Sequence, residues 1–275
     1  RVAFMGLLGA RQYEVLSNEF GRILDLNAEY TRFRQVKSAE ELDWFRIGAY
    51  FADLGMAALR NHLRPGMSEI ELGALIEQAY VRLGGGHAIH FVGTTPMESP
   101  SVAVPRQYAS RRRIEIGDAV SAEISAAFWD HSGQVLRSFT IGKEPNALYR
   151  DLHQVADAAF DAVCAVLRPG ALPEEVIAAA GGIEQAGFTI IDDLLHGYGG
   201  GYLPPILGSK SRPAGPVPTE PFRAGQTVVV QPNVVTRDRK AGVQMGELVV
   251  ITECGPQRMH RYPRGFENVA AQASR

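Results

Sequence analysis

Between Leu42 and His62 the apolar residues Leu42, Phe45, Ala49, Ala52, Met56 and Leu59 recur at intervals of three and four, which lines them along one face of a helix. Ser38-Ala39-Glu40-Glu41 just before them reads as a capping box, in which hydroxyl and carboxylate satisfy the free N–H groups of the first turn. The pattern then changes. His90 to Val92, Ala119 to Phe128, Val135 to Ile141, Gln226 to Val235 and Glu247 to Thr252 are rich in β-branched and aromatic residues and predict strands. Phe128-Trp129-Asp130-His131-Ser132-Gly133 can turn a hairpin between two of them. Leu63-Arg64-Pro65-Gly66 recurs as Leu167-Arg168-Pro169-Gly170, and the helices that follow carry Ile76-Glu77-Gln78-Ala79 and Ile183-Glu184-Gln185-Ala186. Pro-Gly is a common helix stop. Two matched tetrapeptides in matched contexts nevertheless predict a duplicated helix-helix-strand unit with a cleft between its halves. Two helices, strands, two helices and strands again predict an α+β domain with helices on one face of a curved antiparallel sheet.

Residues 1–35 stand apart. Val2-Ala3-Phe4-Met5 suggests a short strand and Gln12 to Phe20 a short helix, too little for a core, and a break follows at Gln35-Val36-Lys37. The expected division is a remnant of a preceding domain over 1–35 and a main domain over 36–275. The chain starts at Arg1, so part of the N-terminus is expected to be missing.

With 45% apolar and 21% charged residues the composition is that of an ordinary soluble protein, and a net charge of −2 gives no nucleic-acid footprint. Arg111-Arg112-Arg113, the one tight basic run, reads as a solvated turn. Of the two cysteines, Cys164 reads as a small core residue, and no disulfide framework is indicated. Neither a membrane span nor a signal peptide is visible, so a cytoplasmic protein is expected.

Helix pairs ending in Leu-Arg-Pro-Gly, the Gly117-Asp118-led hairpin, Leu195-His196-Gly197-Tyr198-Gly199, Val230-Gln231-Pro232-Asn233 and a closing Val-Ile-Thr-Glu strand together resemble the pita-bread family of creatinase, prolidase, Xaa-Pro aminopeptidase and methionine aminopeptidase, in its creatinase–prolidase branch. The resemblance covers roughly 36–266 and implies a pseudo-twofold, curved, mostly antiparallel sheet covered by helices. It also implies a homodimer. Active members hold two divalent metals with two Asp, one His and two Glu. Those positions fall on Glu123, Gln134, His196, Gln231 and Gly246, with Glu247 beside the last; two histidines that handle substrate fall on Val102 and Leu203. A dinuclear site needs several carboxylates to offset two dications. Gln134, Gln231 and Gly246 remove three, so neither a metal nor another cofactor is expected.

Glu123, among small and apolar neighbours, and His196, in a glycine-rich segment, are the expected catalytic pair, a carboxylate of raised pKa and an imidazole that titrates near neutrality. Gln134 and Gln231 require hydrogen-bond partners if buried and are expected, with Tyr198, Tyr202 and Glu247, to bind substrate. His87 and His90 are candidates for the pocket wall. His131 reads as solvated in the hairpin turn, and His62, His153 and His260 as surface or helix residues. Three functions remain open: a metal-independent hydrolase of a small amide, amidine or amino-acid derivative; a non-catalytic binding or interaction protein; and a metallo-aminopeptidase. The expected partner is a small-molecule substrate or ligand, with no nucleic acid and no membrane.

Overall fold

The computed structural model describes residues 2–270. The chain opens with β1 (Val2–Phe4), α1 (Ala10–Phe20) and β2 (Ile23–Asp25), the two strands pairing in parallel, followed by α2 (Asn27–Gln35). The sequence reading missed α2. Its composition is polar, and only Gln35 in it is buried, so no apolar stripe announces it. The first half of the main domain is α3 (Ala39–His62), α4 (Glu69–Tyr80), β3 (Gly86–Pro96), β4 (Asp118–Phe128) and β5 (His131–Ile141). The second is α5 (Ala147–Val166), α6 (Pro173–Ala179), α7 (Gly182–Gln185), β6 (Thr189–Ile190), β7 (Leu195–Tyr198), β8 (Tyr202–Leu207), β9 (Thr227–Val230), β10 (Val234–Val235), β11 (Gly246–Thr252), β12 (Gly255–Arg258) and β13 (Phe266–Val269). The second copy of the repeated unit is not one helix: α6 stops at Ala179 and α7 starts at Gly182, with Ala180 and Gly181 between them, where the glycine weakens the helix.

The capping box forms as read. Ser38 Oγ accepts from the Glu41 N–H, and the Ser38 N–H donates to the Glu41 carboxylate at 2.8 Å. The predicted face is the buried one: Phe45, Ala49, Ala52, Met56 and Leu59 are fully enclosed, and α3 packs on β4 and β5. Each large apolar side chain so enclosed contributes about 1.5–3 kcal/mol. The contact is close enough to need glycine on both sides. A Cβ on Gly48 would lie 2.1 Å from the His131 carbonyl oxygen, and one on Gly133 would lie 2.2 Å from Ala49 Cα. This approach locks the β4–β5 hairpin to the helix.

One nine-stranded sheet runs β3-β4-β5-β11-β9-β7-β8, with β12 added at β11 and β13 at β5. All its pairings are antiparallel except β13 with β5. β6 and β10 make a separate two-stranded ribbon. The register fixes the site. Glu123 pairs with Leu136, which pairs with Gly246; Ser125 pairs with Gln134; His196 pairs with Val229, two residues before Gln231. Residues distant in sequence thus share neighbouring positions in the middle of the sheet. No helix among the described residues is long and apolar enough to cross a membrane.

Several secondary expectations change. His260 is buried, not at the surface, and its Nδ1 lies 2.7 Å from Asp53 Oδ1. His131 is half-buried between Trp44 and Phe45, while His153 lies on a helix, α5, as expected, half-buried and stacked on Phe266. Aromatic neighbours supplied by other elements enclose these rings, and local polarity gives no sign of them. Arg112 is not merely solvated: its guanidinium makes a bidentate pair with buried Asp118 at 2.6 and 2.8 Å.

Candidate functional site

Three side chains from three elements meet at the centre of the sheet. Gln134 on β5 donates both amide hydrogens, one to Glu123 Oε1 on β4 and one to Gln231 Oε1 just after β9, each at 3.0 Å. The other Glu123 oxygen, Oε2, accepts from Gln244 Nε2 at 3.2 Å. Gln134, Gln231 and Gln244 are buried. With Glu123 ionised, only the N–H side of an amide can address it, so the carboxylate sets the orientation of both glutamines around it. Among the described residues no arginine or lysine is bonded to this carboxyl. Burial therefore dominates, aided by the negative charge of nearby Asp192 and opposed by the Gln244 hydrogen bond, and pushes Glu123 up to about 7.

His196 comes from β7 and is fully buried. Its Nδ1 pairs with the Gly197 carbonyl at 3.0 Å, so the proton sits on Nδ1 and Nε2 carries a lone pair. Nε2 has no hydrogen bond of ordinary geometry, although the Gln231 amide is close enough to favour the charged ring slightly. Tyr202 stacks on the imidazole, with ring centroids 3.8 Å apart and planes inclined by 13°. Burial outweighs both favourable contacts and lowers His196 to about 4. This corrects the expectation of an imidazole titrating near neutrality. His196 is neutral at pH 7, and the titrating group of the site is Glu123.

Glu247 is also corrected. It pairs in register with Val135, which lies in the core beneath α3, whereas Gly246 pairs with Leu136 on the Glu123 line. Successive strand residues face opposite sides, and Glu247 accordingly points away from the cleft. There it is bonded to Arg137 Nη2 at 2.6 Å, to Arg258 Nη2 at 2.9 Å and to Arg258 Nε. Gly246 itself has no room for a side chain. A Cβ there would stand 2.4 Å from the Val230 carbonyl oxygen and 2.7 Å from Gln231 Cα.

A depression of about 1060 Å³ opens beside the network. Gln134, Tyr198, Tyr202, Lys37, Arg34 and His87 are among its walls, and Gln134 is where it touches the buried amides. Tyr198 is buried, with its hydroxyl 2.6 Å from Ser132 Oγ, while Tyr202 is half exposed. His87 contacts the rim, and His90 is turned toward the Tyr80 hydroxyl. Three polar residues of the site escaped the sequence reading. Asp192 is half-buried, its carboxyl raised by burial and faced by Asn233 Nδ2 at 3.5 Å. Asn233 and Gln244 are buried, and each has an unpartnered amide oxygen. The available signals were the paired acids Asp192-Asp193 shortly before His196, and Gln244 two residues before Gly246 on the same approach to β11.

Comparison with known proteins matches residues 43–253 to the model of metallopeptidase family M24. The chain belongs to that family. It is 23% identical over 274 residues to the Xaa-Pro dipeptidase of Pyrococcus furiosus, covering 94% of this chain and 74% of that protein. To the probable dipeptidase PepE of Mycobacterium tuberculosis it is 27% identical over 243 residues, covering 84% of this chain and 60% of that one. The crystal structure of the X-Pro aminopeptidase of Thermotoga maritima superposes with a TM-score of 0.83 at 20% identity, covering 98% of this chain and 76% of the other. Prolidase from Pyrococcus furiosus superposes with a TM-score of 0.80 at 21% identity, covering 95% and 76%. The M24 chain is therefore a pita-bread protein of the creatinase–prolidase branch, with the curled antiparallel sheet and helical cover expected of one.

Proposed function

We propose that this M24 chain is a hydrolase that cleaves a carbon–nitrogen bond in a small amide, amidine or amino-acid derivative without a metal. The observation that carries the reading is the Glu123–Gln134–Gln231 network at the family's metal positions. Its donors are one carboxylate, three neutral amides and one neutral imidazole, a set that does not offset two dications. Among the described residues no three His, Cys, Asp or Glu side chains are grouped to hold a metal ion. The crowding at Gly246 points the same way, since a carboxylate there would collide with the Val230–Gln231 backbone. The residues do not fit the family's dinuclear centre.

Glu123 is the acid–base group of the proposed reaction. As a carboxylate it takes a proton from water as the oxygen bonds to the substrate carbon. As the acid it returns that proton to the departing nitrogen when the C–N bond breaks. A value of about 7 suits both roles at neutral pH. His196, neutral and stacked beneath Tyr202, positions rather than titrates. The test is a panel of Xaa-Pro dipeptides and small amide and amidine derivatives of amino acids, incubated with chelator-treated protein and read by mass spectrometry. Hydrolysis that survives chelation and is lost in Glu123→Gln is expected. Turnover that appears only when a divalent metal is restored overturns the reading.

A second reading, a binding protein on the same fold, is favoured by the closure of the amide network on itself, which leaves Gln134 with no free N–H. It predicts ligand retention with no turnover across the panel. Under either reading we propose a cytoplasmic homodimer, with residues 1–35 as the end of a preceding domain. Leu7, Val15 and Phe33 in that segment are widely exposed. Light scattering at micromolar concentration tests the dimer.

A further inference from the structure

A second pocket lies where α2, β8 and the segment leading into β9 meet, and none of Glu123, Gln134 and Gln231 lines it. It holds about 380 Å³, within the range of small-molecule sites. Its polar wall is built mainly from donors. Gln226 Oε1 accepts from the Arg223 N–H at 2.7 Å, which fixes which end of the amide is oxygen and leaves Nε2 with no partner among the described residues. Gln226 is only 6% exposed, and a buried side chain with a donor unspent calls for an acceptor. Gln35, also buried, donates to the Pro204 carbonyl at 3.1 Å and accepts from Arg223 Nη2 at 3.1 Å. It thereby holds the Arg223 guanidinium at the pocket, which Arg32 of α2 also lines. Among the described residues no carboxylate lies within 4.0 Å of either guanidinium; Glu220, the acidic residue of the wall, is exposed and beyond that distance. The remaining wall is apolar, with Pro205 and Phe222 buried in it.

We infer that this pocket binds the carboxylate of a small apolar organic acid, its oxygens on Arg223, Arg32 and Gln226 Nε2 and its hydrocarbon body against Pro205 and Phe222. A carboxylate accepts two parallel N–H bonds from a planar guanidinium and has lone pairs left for the glutamine amide. A cation would face two guanidiniums. A neutral amide brings no charge to offset theirs. A bare small anion leaves the proline and phenylalanine wall in water and loses the gain of covering it. The site is separate from the Glu123 network, and the inference holds whether or not that network is catalytic.

The test is a titration of the full chain with sodium benzoate, benzamide and sodium acetate, followed in NMR by the side-chain amide resonances of Gln226 and Gln134. Benzoate is expected to shift Gln226 saturably and leave Gln134 in place. It should bind 10-fold or more tighter than benzamide, which lacks the charge, and than acetate, which lacks the ring. Arg32→Met and Arg223→Met, both at exposed positions, are each expected to weaken benzoate binding 5-fold or more. A melting curve on each variant checks folding. Arg223 carries the bond to Gln35; if its variant fails to fold, Arg32→Met and the three probes decide. Benzoate binding no tighter than either control, a shift at Gln134 alone, no saturable shift at Gln226, or unchanged affinity in Arg32→Met overturns the inference.

Discussion

Half-buried Glu123 and fully buried Glu247 are carboxylates on neighbouring lines of one sheet, and they live under opposite electrostatics. Glu247 sits between two guanidiniums. Burial alone would raise it, but Arg258 and Arg137 outweigh burial and hold it below the ordinary carboxylate range. Every oxygen has a partner, and Arg137 is further tied to the carbonyls of Leu136, Gly246 and Pro263 at 2.8–2.9 Å. Glu123 has amides only, and its pKa rises to about 7. A carboxylate with two fixed cations is a permanent charge that knits β5, β11 and β12 together. One surrounded by neutral donors can gain and lose a proton within the physiological range. A single residue step along β11 separates the structural line from the functional one.

The largest test breaks the structural side. Glu247→Gln keeps the shape and leaves buried Arg137 without its counter-ion. Removing one partner of a buried pair typically costs about 3–5 kcal/mol, and we expect that loss in urea unfolding at pH 7. A loss below about 1 kcal/mol would mean that the pair is not the anchor described here.

The next test exploits pH, because the two carboxylates change stability in opposite directions. The native Glu123 pKa is raised, so its contribution is fully present below the unfolded value of 4.5 and lost as pH rises through about 7. The native Glu247 pKa is depressed, so its contribution is present above 4.5 and lost as pH falls through the native value. Glu123→Gln should therefore stabilise the fold at pH 8, by up to about 3 kcal/mol from the size of the shift, and change little at pH 4. Paired urea titrations at the two pH values check the sign. A gain of equal size at both would disconnect the effect from ionisation.

These two sites were not equally legible in the sequence. The period of α3, its capping box and the β4–β5 hairpin are local signals, and each is found close to where the pattern put it. Glu123, Gln134 and Gln231 were picked out by family position, and the structure brings them together. Asp192, Asn233 and Gln244 were not, because their relation to Glu123 runs through space across strands that sequence spacing does not order. Glu247 was misassigned for the reason that a one-residue step on a strand reverses the face. The protonation of His196 was misread because an imidazole's pKa depends on enclosure by Tyr202 and the surrounding sheet, and glycines beside it say nothing of that. α2 was missed because helicity without an apolar stripe leaves no periodic trace.

A smaller effect is expected at the boundary between the two lines. Gly246→Ala adds one methyl group that meets backbone, not a movable side chain, at 2.4 and 2.7 Å. Overpacking of this kind costs about 1–3 kcal/mol. Because the displaced atoms belong to Val230 and Gln231, the strain should also loosen the Gln134–Gln231 bond, seen as a shifted Gln134 side-chain amide resonance. An unperturbed resonance with full stability would show that the segment gives way freely.

The smallest effect lies within the cleft and is the sharpest contrast with Glu247. Asn233 is fully buried, yet its amide nitrogen reaches Asp192 only at 3.5 Å and its oxygen has no partner. A bond that long contributes little, and an unsatisfied buried acceptor is itself unfavourable by about 1–3 kcal/mol. Asn233→Ala removes both the weak bond and the orphan acceptor. The small void left behind offsets part of the gain, so stability should stay within about 1 kcal/mol of the parent. The comparison then turns on what each buried polar group is for. If truncating Asn233 costs as much as breaking the Glu247 pair, the cleft is structural too. If stability holds, the unpartnered acceptor of Asn233 is not part of what holds the fold together.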